Sequence, residues 1–285
     1  MVVLVTGSAG QLGQSLQFIA PNYPDVQFLF LDSYQLDITN IENCQHVFSK
    51  HKPDFCINAA AYTAVDKAEA EPEKAHLINA IGAKNLAEVC KEHNTILLHI
   101  STDFVFDGNK QTSYNEEDLP NPTGIYGKTK LEGEIEIKKT WEKHFIIRTS
   151  WVYSQFGSNF MKTMLRLASE RDTISVVNDQ IGTPTNAVDL AESLLKIITK
   201  NTKHKIENFG IYNYSNDGKC SWYDFAKKIF EINNITINLL PIPTTAFPTP
   251  AKRPSFSVLD KSKIKNVFGI EIPKWEKSLE KYKDK

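Results

Sequence analysis

The chain has few cysteines, and none is placed for joint chemistry. Cys44, Cys56, Cys90 and Cys220 form no CxxC pair and have no histidine at metal-site spacing, which argues against a zinc site or a disulfide framework. Cys56 lies in the apolar run Phe55-Cys56-Ile57 and reads as a small buried hydrophobe. Free thiols of this kind suit a reducing compartment. No basic segment followed by an apolar stretch opens the chain, so no secretory signal is expected. No apolar run approaches the roughly 18 residues that a membrane span needs. A cytoplasmic location, away from membranes, is therefore expected. Neither sign of charge is in excess. The formal net charge of -1 supplies no basic field for nucleic acid or anionic lipid. The lysine-rich stretch from Lys274 to Lys285 is interrupted by acids and reads as a solvated face or fraying end. Internal repeats and low-complexity segments are also missing.

What remains is a rhythm of short apolar strands and longer helical patterns. Strands are expected at Val2 to Thr6, Val26 to Leu31, Phe55 to Asn58, Thr95 to Ser101 and Phe145 to Thr149. Helical spacing covers Ile41 to His51, Pro72 to His93 and Tyr126 to Lys139. Near-continuous apolar strands suit a parallel sheet buried on both faces, and the alternation predicts a doubly wound α/β fold. After Trp151 the rhythm changes. Helices are expected at Phe160 to Glu170, Asn186 to Lys200 and Ser221 to Ile232, and a strand at Tyr212 to Ser215, before a proline-rich stretch. Residues 1–150 are thus expected to form a Rossmann-like dinucleotide-binding domain, and 151–285 a smaller, irregular α/β substrate lobe. Segments after 151 remain free to rejoin the sheet.

The first strand runs into Gly7-Ser8-Ala9-Gly10-Gln11-Leu12-Gly13. Strand, glycine-rich turn and helix start set a pyrophosphate on a helix N-terminus. The spacing is GxxGxxG. Its first glycine allows the turn, its second lets phosphate approach, and its third lets helix and strand pack. Asp32 follows the second strand about 20 residues on, where an acid accepts from ribose hydroxyls and repels a 2′-phosphate. That leans toward NADH, with NADPH tolerated; the alternative is a turn aspartate. Asp37 and Ile38 line the adenine pocket, or Asp37 is a turn residue. Ala59, Ala60 and Ala61 follow the third strand, where small side chains let a flat ligand approach the backbone.

Tyr126 and Lys130 stand four apart on an expected helix and share one face. An ammonium beside a phenol favours the phenolate and lowers its pKa, which fits Tyr126 for proton donation. Lys130 is also placed to hold the nicotinamide ribose. Thr102, at the end of the fourth strand, offers a hydroxyl to polarise a substrate carbonyl.

With these features in hand, the chain resembles the extended short-chain dehydrogenase/reductases, and among them the dTDP-4-dehydrorhamnose reductase family. The matching segments are Gly7 to Gly13, Asn58 to Asp66 (NAAAYTAVD) with Ala68-Glu69, Ser101 to Gly108 (STDFVFDG), Tyr126 to Lys130, Arg148 to Tyr153 (RTSWVY), Asn178 to Thr185 (NDQIGTPT), Arg253-Pro254, Leu259-Asp260 and Ser262-Lys263. They span nearly the whole chain.

The resemblance implies that Thr102, Tyr126 and Lys130 are the catalytic set. It implies that Val65, Asp103, Phe104, Trp151 and Asn159 contact the sugar nucleotide, and that Arg253 reaches its diphosphate or base. The implied reaction reduces the C4 ketone of a dTDP-4-keto-6-deoxy sugar with NADH or NADPH. Some members dimerise around Mg²⁺ through a glutamate in the first helix. This chain has Gln14-Ser15 there, poor ligands for a hard cation. No metal and a monomer or weak homodimer are therefore expected. Phe104 stands where tyrosine is frequent. The same scaffold also serves other nucleotide-sugar reductases and epimerases, and the non-catalytic regulatory subunit of methionine adenosyltransferase.

Overall fold

The structure, a computed structural model, describes residues 1–204 and 208–281. The chain begins with β1 (Val2–Thr6), α1 (Gln11–Ile19), β2 (Gln27–Phe30), α2 (Ile41–His51) and β3 (Phe55–Asn58). It continues through α3 (Val65–Ala68), α4 (Pro72–His76), a π-helical turn (Leu77–Ile81), α5 (Gly82–Glu92), β4 (Ile96–Thr102), α6 (Ile125–Thr140) and β5 (His144–Thr149). Next come β6 (Val152–Tyr153), α7 (Phe160–Glu170), β7 (Thr173–Val177), β8 (Ile181–Gly182), β9 (Thr185–Asn186), α8 (Ala187–His204) and β10 (Gly210–Asn213). The remainder is β11 (Cys220–Ser221), α9 (Trp222–Ile232), β12 (Asn238–Ile242), α10 (Ser262–Phe268) and α11 (Trp275–Lys281).

The main sheet is parallel throughout, in the order β10-β5-β4-β3-β1-β2. Its apolar strands do not alternate with polar residues because both faces are covered. Val3, Val5, Ile57, Leu98 and Ile147 pack with residues of α1 and α8, whereas Leu4, Cys56, Leu97 and Ile146 pack with residues of α2 and α5. Neighbouring strand residues point to opposite faces, so each apolar run fills two cores. The chain reverses its direction across the sheet at β1, which has β2 on one side and β3 on the other. The crevice outside the carboxyl ends of β1 and β3 is the topological switch point where open α/β sheets bind ligands.

Three segments beyond residue 151 rejoin this layer: α8 and α10 pack in the same core as α1, and β10 pairs with β5. The strand expected at Tyr212 to Ser215 starts earlier, at Gly210, in register with Phe145. The segments α7, β7, α9 and α11 have a core of their own, with Tyr153, Met161, Ile174, Phe225, Trp275 and Leu279 buried together.

The C-terminal expectation needs correction. Residues 275–281 form a helix whose Trp275, Ser278 and Leu279 are buried. Their i, i+3, i+4 spacing is an amphipathic stripe that the intervening lysines and glutamates disguise; residues 282–285 lie outside the described residues. Among the described residues, no helix is long and apolar enough to cross a membrane.

Candidate active site

Gly7 has φ +61°, and a Cβ there would lie 2.7 Å from the Ala60 backbone. The turn after β1 is therefore pressed against the start of the alanine run after β3. Gly13 packs as closely on the other side, since its Cβ would meet Ser8 Cα at 2.5 Å. Ala9 and Gly10 are left exposed, and Gly10 caps α1 with no side-chain acceptor. Free N–H groups at a helix start, with no side chain over them, suit a diphosphate. The cradle fits a dinucleotide.

The remaining expected cofactor residues divide. Asp32 is half-buried, and its Oδ1 accepts from the N–H groups of Tyr34 and Gln35, which is a turn role. Asp37 is exposed, and its Oδ1 accepts from the Thr39 N–H and hydroxyl. Ile38 is buried against Gly82, and Leu12 is also core; neither side chain lines an open pocket. Gln11 reaches across to the lobe, accepting at Oε1 from Ser154 Oγ and Asn159 Nδ2. Ala59, Ala60 and Ala61 are partly exposed beside Gly7.

Thr102 ends β4 and is buried. Its hydroxyl donates to Asp103 Oδ1 at 3.1 Å and accepts from the Phe104 N–H at 3.2 Å. Tyr126 is the second residue of α6. The Glu69 carboxylate accepts from the Ile125 N–H at 2.8 Å and so places a negative charge at this helix start, where the dipole favours one. The Phe104 ring meets the Tyr126 ring edge-on at 5.5 Å. Burial pushes the Tyr126 phenol up to about 12; a hydrogen bond with Thr102 opposes the shift, and the Asp103 charge adds to it. The phenol is thus protonated at neutral pH, as a proton donor must be.

The expected Tyr126–Lys130 partnership is not what the structure shows. The Lys130 side chain is buried and turned back into the sheet, where Nζ donates to the Ile100 carbonyl at 2.7 Å and meets His99 Nε2 at 3.1 Å. Sharing a helix face brings two Cβ atoms close, but a lysine stem ends wherever its ammonium finds partners. Burial pushes Lys130 down to about 8, against the pull of Glu134. One turn further along α6, Glu134 forms a buried two-pronged ion pair with Arg148 and accepts from the Ser101 hydroxyl.

Asp103 is almost wholly buried, and its Oδ2 has no hydrogen-bond partner. Burial pushes this carboxyl up to about 6, against hydrogen bonds from Ser257 and Thr102. Trp151 has φ +47°, and its indole stacks on Trp222 with centroids 3.6 Å apart. Asn159 caps α7, accepting from the Lys162 N–H, while its amide donates to Ser154 O. Val65 begins α3, one residue before Asp66, which holds Arg253 in an ion pair at 2.7 Å. Among the described residues, no cluster of three or more His, Cys, Asp and Glu side chains is arranged to hold a metal ion.

The sequence motifs include neither His99 nor Trp222, and they contain Asp66 and Glu69 without assigning either a role. His99 had a visible signal: it is the one ionisable residue in the apolar run Ile96 to Ile100. Trp222 had none, and the roles of Asp66 and Glu69 were hidden because each acts through a partner distant in sequence.

A glycine cradle at the switch point, with a serine/threonine, tyrosine and lysine around the end of β4, defines a nicotinamide-dependent short-chain dehydrogenase/reductase. A family model described as the RmlD substrate binding domain matches residues 1–285. A dTDP-4-dehydrorhamnose reductase of Aggregatibacter actinomycetemcomitans is 43% identical over 284 residues, covering 97% of this chain and 96% of that protein. A crystal structure of a dTDP-4-dehydrorhamnose reductase from Clostridium acetobutylicum has a TM-score of 0.94 at 42% identity, covering 100% of this chain and 99% of that one. One from Bacillus anthracis, in complex with NADP, has a TM-score of 0.92 at 42% identity, covering 99% and 98%. The chain belongs to the dTDP-4-dehydrorhamnose reductase family.

Proposed function

We propose that the chain reduces the C4 ketone of dTDP-4-dehydro-6-deoxy-L-mannose to give dTDP-L-rhamnose. The observation that carries this reading is the placement of Tyr126 at the start of α6 against the strand end that carries Thr102, its ring edge-on to Phe104 at 5.5 Å, in a chain whose relatives over nearly full length bear that activity in their names.

Gly7, Ala9, Gly10 and Gly13 would hold the cofactor diphosphate, the alanine run its flat portion, and Lys130 its nicotinamide ribose. A bound reduced nicotinamide supplies the hydride. Tyr126 gives its proton to the carbonyl oxygen as negative charge develops there, and Thr102 orients both groups. Asp103, with one buried oxygen unpartnered, would accept from a sugar hydroxyl. The indole of Trp151 would flank the sugar, and Arg253, a planar fork suited to phosphate, would meet the diphosphate. Val65 and Phe104 would supply apolar contact, and Asn159 would shape the wall through α7.

Asp32 supports a lean toward NADH, with NADPH accepted. Gln14 and Ser15 support a monomer or weak homodimer built without metal, and four buried free thiols support a reducing cytoplasmic setting. Residues 1–150 would form the dinucleotide-binding part and 151–285 mainly the substrate lobe, with α8, β10 and α10 returning to the first part.

A coupled assay tests the reading. The keto sugar nucleotide is generated in situ, and NADH and NADPH are offered separately, with and without EDTA. Oxidation of either cofactor to give dTDP-L-rhamnose is the expected result. No oxidation with either would overturn it.

A further inference from the structure

Behind Lys130, a chain of buried polar groups fixes the position of each proton. Thr6, Asn58, His99 and Lys130 are all almost wholly buried. The Ala60 N–H, which only donates, meets Asn58 Oδ1 at 3.2 Å, and the Thr6 hydroxyl donates to the same oxygen at 2.7 Å. The amide oxygen is therefore on that side, and Asn58 Nδ2 is the atom that meets His99 Nδ1 at 2.9 Å. An amide nitrogen donates and does not accept, so Nδ1 carries no proton. The imidazole proton is then on Nε2, which faces Lys130 Nζ at 3.1 Å. An ammonium has no lone pair to receive it. The contact is a hydrogen bond only when Nζ is an amine that accepts from His99 and donates to the Ile100 carbonyl.

We propose that His99 is a positioning residue that biases Lys130 toward the neutral amine, by donating its Nε2 proton to the lysine lone pair. Burial acts in the same sense on both groups, since it disfavours the imidazolium and the ammonium alike. The other ionisable groups around the pair are few. Glu134, on the lysine's own helix, favours the ammonium, but Arg148 of β5 matches its charge at 2.7 Å. Tyr126 lies one turn earlier on α6, with Asp103 beyond Thr102, and His144 of β5 disfavours charge on His99.

The consequence for catalysis rests on the reading of Tyr126 as the proton donor. Each reduction leaves Tyr126 as a phenolate. An ammonium at Lys130 loses a proton, the phenolate gains it, and the amine takes its next proton from solvent. A partner that favours the amine makes Lys130 a stronger acid, and so a better source for Tyr126.

The test is magnetic resonance on the ¹⁵N- and ¹³C-labelled, unliganded chain, with Lys130→Arg used to assign the lysine signal. The expected result is His99 protonated at Nε2 and bare at Nδ1, with Lys130 titrating well below the other lysines. A proton on Nδ1, or a Lys130 that titrates with the rest, would overturn the proposal. His99→Leu should raise the Lys130 titration by about one pH unit, a tenfold gain in proton affinity, and carry the alkaline limb of kcat upward with it. His99→Gln, which keeps an N–H donor, should leave both near their native positions. A loss of kcat in His99→Leu with an unmoved alkaline limb means a merely structural role and also overturns the proposal. If the leucine variant does not fold, the native titration decides. Absence of turnover on the keto sugar, with the amine observed, sinks the reductase reading and leaves the proton assignment standing.

Discussion

Arg253 and Asp66 form a two-pronged ion pair across 187 residues of sequence, with Nη1 donating to Oδ1 at 3.0 Å and Nη2 to Oδ2 at 2.7 Å. The guanidinium also donates to Thr249 Oγ1 and the Ala251 carbonyl, and it holds the Asp66 carboxyl below the usual carboxylate range. The pair ties the loop that follows β12 to α3, which Val65 begins. Both side chains are partly exposed, and such pairs contribute about 1 kcal/mol or less to stability. Their value here is in aiming the fork.

Arg253→Lys keeps the charge and loses the fork. The KM for the dTDP sugar should rise roughly tenfold or more, since a hydrogen bond to a charged group is worth about 1.5–3 kcal/mol. The kcat should stay within about twofold, because a contact made equally in ground and transition states changes binding alone. Steady-state kinetics checks this. An unchanged KM would remove Arg253 from the substrate site.

Tyr126→Phe removes the phenolic proton and keeps the ring that Phe104 packs against. General acid catalysis is worth about 10²–10⁴-fold, so kcat should fall by that much, with sugar-nucleotide affinity retained in a direct binding measurement. Turnover near the native rate would mean that another group protonates the carbonyl oxygen.

Asp103 makes stability depend on pH in an unusual direction. Its carboxyl is raised from 3.8 to about 6 in the folded chain, so the folded state binds the proton more tightly than the unfolded state does. Stability from this group is complete below the unfolded pKa and is lost as pH rises through the folded one. Replacing it by Asn keeps an acceptor for Thr102 and removes the buried charge. Asp103→Asn should therefore be more stable than the native chain at neutral pH, by up to about 3 kcal/mol, with the difference vanishing only as pH falls below 3.8. Urea unfolding on both sides of this window checks it. Parallel curves at every pH would show that the carboxylate is not strained. A gain in stability with a loss of sugar binding is the trade expected of a functional residue.

The sheet was legible because burial on both faces leaves near-continuous apolar strands between helical patterns, and α2 and α7 fall where spacing put them. The amphipathic α11 was hidden by charge, since its four charged residues, Glu276, Lys277, Glu280 and Lys281, outnumber its two apolar anchors, Trp275 and Leu279. The glycine loop and the Thr102–Tyr126 pair could be read from local motifs. The orientation of Lys130 could not. It depends on His99 and the Ile100 carbonyl, which reach it through the β4–α6 packing. Asp32 shows the same limit from the other side: a motif position suggested a ribose contact, while the folded chain uses one of its oxygens to close a turn.

The turn role of Asp32 shapes the test of its proposed cofactor role. Asp32→Asn keeps an oxygen for the Tyr34 and Gln35 N–H groups but removes the charge that would repel a 2′-phosphate. The ratio of kcat/KM for NADPH over NADH should rise several-fold, about 1 kcal/mol of relieved repulsion, with thermal stability preserved. A ratio that does not move would leave Asp32 as a turn residue only.

Gly127 stands between Tyr126 and Lys128, where α6 meets the strand end that carries Thr102. A Cβ at this position would lie 2.1 Å from the Phe104 carbonyl oxygen. The obstacle is backbone, so no rotamer change relieves it; the helix start must move away from β4. Overpacking of this kind costs typically about 1–3 kcal/mol, and Gly127→Ala should lower the thermal midpoint accordingly. The larger effect should fall on kcat. Displacing Tyr126 by an ångström can cost about 10²-fold in rate, whereas cofactor affinity, on the proposed reading, rests mainly on the Gly7 loop and should change much less. Fluorescence titration with NADPH separates the two, and weakened cofactor binding to match the loss of rate would show that the alanine disturbs the whole fold and not the Thr102–Tyr126 geometry.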